Sequence, residues 1–405
     1  MSFLTTDEAR QQILEEIGTS GHERVSLGDA LGRILTRDIP ASADAPRFSN
    51  SARDGYAFRF EDLDAAGNTT LEITQTVHAG EVPTEEISEG QAAKIMTGAP
   101  VPEGADTIVM REFTEEAEGS VTILEAPPEG KGAWVRAQGS FVKKGAPLLA
   151  KGQRIGAGDI GALAGNGTLW VQVARKPVVA IICAGDELVD PGQEPGPGQI
   201  INANSPMLEA LVRAHGGHPI VYPTLPDDLE VLRQTYEDAC ACADLVISSG
   251  GVSMGDRDFT RQVLEERSGG MKFWKIAMKP GKPLAFGVAR DGKKQTPLIG
   301  LPGNPASSLV CFHQFVKPAL ARLQGVNWQP AVLEATTTEA LTSTPKRQQF
   351  ITGQLTFEDA KPRFTPIPDQ DSGNPAILAN VNAFAIVDQG IASFEANATI
   401  LVEMI

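Results

Sequence analysis

The stretch Ala243-Asp244-Leu245-Val246-Ile247-Ser248-Ser249-Gly250-Gly251-Val252-Ser253-Met254-Gly255-Asp256-Arg257-Asp258 decides the fold. It opens on Leu245, Val246 and Ile247, a short apolar run of the kind that makes a parallel strand buried on both faces. The run breaks into Ser-Ser-Gly-Gly, and a helical pattern follows over 259–267. Strand, glycine turn and helix build an anion site, because glycines let the backbone approach a ligand and free N–H groups point at it. Gly250 and Gly251 with Ser249 and Ser253 suit a phosphate or another oxyanion. Asp256 and Asp258 do not suit phosphate alone, so a metal ion or a polar heterocycle is expected to share the site. The plainer alternative is an ordinary strand-to-helix turn, since short glycine motifs recur without function.

Around this stretch the chain alternates strand and helix. Pro177-Val178-Val179-Ala180-Ile181-Ile182-Cys183 reads as a buried strand, with Ala184-Gly185-Asp186-Glu187-Leu188 at its C-terminal end. Ligands of open α/β sheets bind outside such ends, which places Asp186 and Glu187 where chemistry would occur. Ile201-Asn202-Ala203-Asn204-Ser205 is expected to cap a helix over 206–215. A strand over 219–222 follows, and Pro226-Asp227-Asp228 starts a helix over 229–240. Pro297-Leu298-Ile299-Gly300-Leu301-Pro302-Gly303-Asn304-Pro305 leads into a long helix ending near Leu323. The alternation predicts a mainly parallel sheet. Lys275, Lys279 and Lys282 have the i, i+4, i+7 spacing of one helix face. Pro280, Gly281 and Pro283 forbid that helix, so the lysines are expected on an ordered loop, either as a solvated basic face or as an anion-binding loop beside the glycine turn.

The rest of the chain has a different character. A helix is expected near 7–17, capped by Thr6 or Asp7, and a second short helix over 27–35. Asn50-Ser51-Ala52-Arg53-Asp54-Gly55-Tyr56-Ala57 is a polar turn holding one carboxylate. Residues 58–135 read as short strands and turns, among them the loop that begins at Thr97-Gly98-Ala99-Pro100. The stretch 130–164 is glycine-rich. From 326 to 405 the alternation is again that of strands, which predicts a small barrel or sandwich. The expected segments are therefore 1–45 with 137–175, an inserted β-rich domain over 46–136, an α/β domain over 176–325, and a C-terminal β domain over 326–405.

The 405 residues are too many for one core. The net charge of −16 argues against nucleic acid as a partner and requires any anionic ligand to be held by a local basic patch. No apolar run reaches the ~18 residues of a membrane span. The N-terminus has neither a basic start nor an apolar signal core, so no export signal is read. The four cysteines form no C-x-x-C pair and predict reduced thiols in the cytoplasm.

Taken together, Asn50-Ser51-Ala52-Arg53-Asp54-Gly55-Tyr56-Ala57, Met96-Thr97-Gly98-Ala99-Pro100, Gly185-Asp186-Glu187-Leu188, Ser248-Ser249-Gly250-Gly251-Val252-Ser253, Lys279-Pro280-Gly281-Lys282-Pro283 and Leu301-Pro302-Gly303-Asn304-Pro305 carry a resemblance. The chain resembles the molybdopterin molybdenumtransferases, the MoeA family, which includes the E domain of gephyrin. The resemblance implies an elongated homodimer of four-domain subunits with a small C-terminal β-barrel. It implies insertion of molybdate into adenylylated molybdopterin, with release of AMP and a requirement for Mg²⁺. The active cleft would combine the β domain of one subunit with the α/β domain of the other.

By motif position, the resemblance gives catalytic roles to Asp54, Thr97, Glu187, Asp228, Asp258, Lys275 and Lys279. Glu187, Asp228 and Asp258 are the carboxylates that would hold the metal, and which carboxylate binds it and which acts as base stays open. Ser249, Gly250, Gly251, Ser253 and Lys282 would bind the substrate, Pro302 and Pro305 would shape the wall, and Arg347 and Ser372 would stand on the molybdate side. On this reading Gly251→Val weakens ligand binding and costs the fold roughly 1–3 kcal/mol at most.

One departure bears on activity. After Gly139 the family usually carries an acidic pair, whereas this chain has Ser140 and Phe141. A smaller one is Ala184, where the family commonly has threonine. The departure leaves a second reading open: a gephyrin-like dimeric scaffold that binds a short peptide of a membrane- or cytoskeleton-associated partner.

Overall fold

The computed structural model describes residues 3–64, 68–251 and 259–405. The chain divides into two units, one of Met1–Val25, Asp29–Thr36 and Val171–Ile405, the other of Ser26–Gly28 and Arg37–Trp170.

The larger unit is built on a six-stranded sheet in the order His218–Val221, Val178–Cys183, Leu245–Ser249, Lys294–Leu301, Ala285–Asp291, Phe273–Trp274. The first four strands are parallel and the last two are added antiparallel. The apolar run 178–183 alternates between two cores. Val179, Ile181 and Cys183 join one that includes Leu208 and Val212 of the helix Asn204–Ala214. Ala180 and Ile182 join another with Leu232 and Tyr236 of the helix Leu229–Cys242 and Val263 and Leu264 of the helix Phe259–Ser268. Cover on both faces is why the strand shows no polar alternation. The register pairs Cys183 with Ser249 and Ser249 with Leu301, so the C-terminal ends of the three central strands align.

The C-terminal part of this unit is a closed barrel of Val332–Thr337, Gln348–Glu358, Lys361–Pro366, Ala383–Val387 and Thr399–Met404. Closure comes from the pairing of Gln348–Glu358 with Ala383–Val387. The two-residue strand Met278–Lys279 adds in parallel at Gln348 and Gln349, which ties the lysine loop to the barrel.

The smaller unit carries a six-stranded sheet in the order Thr107–Met110, Gly55–Phe58, Gln91–Ile95, Thr69–Val77, Ser120–Ile123, Thr114–Ala117. Only Thr69–Val77 and Gln91–Ile95 run parallel. Tyr56 and Phe58 lie in one core, and Ala57 and Ile95 in a second.

Local details differ from the sequence reading. The first helix, Thr6–Glu15, is capped by Thr5 rather than by Thr6 or Asp7: the Thr5 hydroxyl accepts from Glu8 N–H at 3.2 Å and Glu8 Oε2 accepts from Thr5 N–H at 2.8 Å. The helix expected over 27–35 is only a single 3₁₀ turn, Leu27–Asp29, that follows the strand His22–Ser26. Gly28 and Gly32 interrupt the apolar spacing, and Gly32 sits at φ +74°. The helix after Ala203 starts at Asn204, with Asn202 Oδ1 accepting from Ser205 N–H at 3.1 Å. The long helix after Asn304 is Pro305–Cys311, a π-helical turn Phe312–Val316, and Lys317–Leu323. Among the described residues no helix is long and apolar enough to cross a membrane.

Candidate active site

The aligned strand ends of the larger unit carry three of the motifs. Ala184 bridges to Leu225, Gly185 N–H donates to Leu225 O at 3.0 Å, and Asp186 Oδ1 accepts from Asp227 N–H at 3.0 Å. Glu187 and Asp228 thus stand on two loops stitched together, and both are exposed. One oxygen of Asp228 is already used, because Asp228 is the N-cap of Leu229–Cys242 and its Oδ1 accepts from Glu230 and Val231 N–H.

The glycine turn is held from beneath. Ser249 is buried, and its hydroxyl donates to Pro302 O at 3.0 Å and accepts from Asn204 Nδ2 at 2.8 Å. Asn204 Nδ2 also donates to Gly303 O at 2.6 Å. The Ser249 side chain therefore joins the glycine turn to the 302–304 turn. Gly250 and Gly251 sit at φ +93° and +61°. A Cβ on Gly250 would lie 2.6 Å from the Ala184 carbonyl oxygen, and one on Gly251 would lie 2.5 Å from Thr260 Oγ1 and 2.8 Å from Thr260 Cβ. Ser253 and Asp258, with Asp256, lie outside the described residues.

The lysines form no helix, as Pro280, Gly281 and Pro283 require: Lys275 and Lys282 are on loops and Lys279 is in the short strand Met278–Lys279. Lys279 and Lys282 line a cavity of about 390 Å³ together with Pro302, Arg347 and Ser372. Five residues predicted from scattered motifs thus share one wall. Gly281 and Pro283 complete the lysine side, and Asn304, Ser307, Gln349, Thr352 and Gln370 are lining residues that sequence reasoning missed. Among the described residues no aspartate or glutamate lines this cavity. Lys279 Nζ reaches Thr344 Oγ1 at 3.5 Å, and Lys282 Nζ lies 5.2 Å from the centre of the Phe3 ring. Pro305 starts the helix below Asn304. Lys275 is not part of this wall: it has φ +77°, and its Nζ lies 3.6 Å from the centre of the Trp274 ring. Arg261, which the sequence did not single out, also lies over Trp274, at 4.4 Å.

The smaller unit joins the two remaining motifs. Asp54 Oδ1 accepts from both the N–H and the hydroxyl of Thr97, each at 2.7 Å, across 43 positions of sequence. The loops that carry them are knitted by Gly98 N–H to Ser51 O at 2.8 Å and Ser51 N–H to Ala99 O at 3.0 Å. The N–H and then the hydroxyl of Thr97 hold the exposed Asp54 carboxyl below its ordinary pKa, with a smaller attraction from Arg111.

Comparison with known proteins shows the family. Residues 4–167 match the model described as MoeA N-terminal region (domain I and II), 180–322 the probable molybdopterin binding domain, and 334–405 the MoeA C-terminal region (domain IV). The molybdopterin molybdenumtransferase of a Nostoc species is 38% identical over 94% of this chain and 88% of its own length. That of Haemophilus influenzae is 36% identical over 99% of this chain and 98% of its own. The solved structure of a molybdopterin biosynthesis MoeA protein from Pyrococcus horikoshii superposes with a TM-score of 0.84 at 29% identity, covering all of both chains. A second structure from that organism reaches a TM-score of 0.87 at 32% identity, covering 100% of this chain and 99% of the other. The chain belongs to the MoeA family of molybdopterin molybdenumtransferases.

Proposed function

We propose that the chain inserts molybdate into adenylylated molybdopterin, releasing AMP in a Mg²⁺-dependent reaction, and acts as a homodimer. One observation carries the reading: in a chain of net charge −16, Lys279, Lys282 and Arg347 converge on a cavity that no carboxylate lines among the described residues. Such a concentration of cations neutralises oxyanions that the overall field repels. Ser372 stands in the same wall, anchored by its carbonyl oxygen, which accepts from Ala306 N–H at 3.1 Å. The glycine turn, at the aligned strand ends, is the place for the phosphate of the substrate.

The donor set fits Mg²⁺ in its usual protein form, one or two carboxylates completed by substrate phosphates. Among the described residues no group of three His, Cys, Asp or Glu is placed as a closed metal cage. Glu187 and the second oxygen of Asp228, on their stitched loops, are the hard oxygen donors, and Asp258 is the third carboxylate proposed from sequence. When bound, the ion neutralises phosphate charge and polarises the bond under attack. Asp54 remains ionised through the neutral range and serves the reaction as a fixed negative charge oriented by Thr97.

The cavity reading is tested by Arg347→Ala. Loss of a guanidinium that hydrogen-bonds an anion weakens binding about 10–100-fold. Equilibrium dialysis of molybdate against both proteins measures it, and equal affinity removes the cavity from the mechanism.

The departure at Ser140 and Phe141 gives a second expectation. Phe141 is 67% exposed and supports no core, so Ser140→Glu with Phe141→Asp changes charge without removing packing. Fewer carboxylates weaken a hard-cation site. The natural protein is expected to need more Mg²⁺ for half-maximal insertion than the double variant. If the natural protein saturates at low Mg²⁺ and the variant is no better, the acidic pair is dispensable here.

A further inference from the structure

We propose that the cavity lined by Lys279, Arg347 and Gln349 selects tetrahedral oxyanions that carry no proton over hydrogen phosphate, with Gln349 as the neutral specificity-determining donor. The proposal rests on the oxyanion reading of this cavity given above and adds the rule by which the anion is chosen.

The wall is rich in donors whose orientation is fixed. Gln349 is 7% exposed, and its Oε1 accepts from Thr344 N–H at 3.2 Å. With that oxygen engaged, the amide NH₂ is the end of Gln349 left for the cavity. Asn304 Nδ2 donates to Ser372 Oγ at 2.9 Å, which leaves the Ser372 hydroxyl proton free to donate. Lys279, Lys282 and Arg347 carry donors only, and none of them makes an ion pair with a carboxylate among the described residues.

Several acceptors of the wall already take donors. Gln370 Oε1 accepts from the N–H and hydroxyl of Thr352 at 3.2 and 3.0 Å. Pro302 O accepts from Ser249 and Ser308 hydroxyls, and Gly303 O from Asn204.

Molybdate, tungstate and sulfate have no proton at neutral pH, so every oxygen can meet a donor. Phosphate keeps at least one proton throughout that range. Where that O–H meets the Gln349 amide NH₂ or one of the cations, a donor opposes a donor in a partly enclosed site, which is costly. Discrimination built on a mismatched hydrogen bond is large compared with discrimination by size.

The test is equilibrium dialysis of labelled molybdate against the full chain at pH 7 and constant ionic strength, with tungstate, sulfate or inorganic phosphate as competitor. Tungstate and sulfate are expected to displace molybdate at comparable concentrations, and phosphate only at roughly 100-fold higher ones. Gln349→Glu supplies an acceptor and is expected to weaken molybdate and narrow the gap between sulfate and phosphate at least ~10-fold. Gln349→Leu, which removes the donor without adding charge, is the second variant: it should weaken molybdate about 10-fold and leave phosphate unchanged. Phosphate competing as well as sulfate against the natural protein overturns the selection rule. Unchanged sulfate-to-phosphate ratios in both variants overturn the role of Gln349. If Arg347→Ala leaves molybdate binding intact, it is the oxyanion reading of the cavity that fails.

Discussion

Asp54→Ala is expected to lower the rate of molybdenum insertion at least ~1,000-fold while the protein remains folded. The carboxylate is exposed, and the Thr97 N–H and hydroxyl, each at 2.7 Å, hold its pKa below the ordinary value. A carboxylate with a lowered pKa is a weaker general base near neutral pH, since efficient proton transfer needs a pKa near the working pH. The role proposed for it is fixed charge and orientation. The sign of the pH effect follows. The active, ionised form is lost only as pH falls through a pKa below the usual carboxylate range, so the acid limb of the rate profile lies low. Thr97→Val removes the hydroxyl donor, and the acid limb should move to higher pH. A rate profile unchanged by Thr97→Val rejects this role for the pair. The homodimer carried by the family resemblance adds a further expectation: Asp54→Ala and Glu187→Ala proteins, mixed after subunit exchange, recover activity that neither parent has.

The second large effect concerns stability. Gly250→Val and Gly251→Val should each cost about 3 kcal/mol or more, the sum of a left-handed backbone forced on a β-branched residue and an overpacked contact. At Gly250 the obstacle is the Ala184 carbonyl oxygen at 2.6 Å, which belongs to the backbone of the neighbouring strand end and cannot rotate away. At Gly251 it is Thr260, a buried residue whose Oγ1 and Cβ would lie at 2.5 and 2.8 Å. A loss of this size lowers the melting temperature by roughly 6–12 °C for a unit of 150–250 residues. Scanning calorimetry of the natural and variant chains measures it. Transitions within a degree of one another would mean that the turn relaxes freely.

The Cβ distances raise the cost above the roughly 1–3 kcal/mol expected from sequence for Gly251→Val. Local pattern marks Gly250 and Gly251 as turn residues, but the crowding comes from Thr260 and Ala184, which the chain brings in through tertiary contacts. The same distinction runs through the molecule. The runs 178–183 and 245–247 were legible because burial on both faces imposes continuous apolarity. The lysine loop was legible because Pro280, Gly281 and Pro283 forbid the helix that the lysine spacing allows. The helix expected over 27–35 was not there, since apolar spacing alone does not weigh Gly28 and Gly32. Gln349 and Gln370 carry no local signal at all, and Asn304 stands in the 301–305 motif, which gives its side chain no role. They reach the cavity only because Met278–Lys279 pairs with the barrel strand at Gln348 and Gln349 and because Asn304 meets Ser372 across 68 positions.

The central claim is that the donor-lined cavity and the carboxylate loops together perform molybdate insertion. It is tested most directly by incubating the purified full chain with adenylylated molybdopterin, molybdate and Mg²⁺ and measuring AMP released and molybdenum bound to the pterin. The account predicts turnover with one AMP released per molybdenum inserted, dependent on Mg²⁺ and abolished by Asp54→Ala. Tight binding of the adenylylated substrate with no AMP released at any Mg²⁺ concentration would contradict it and favour a scaffold that has kept the site without the reaction.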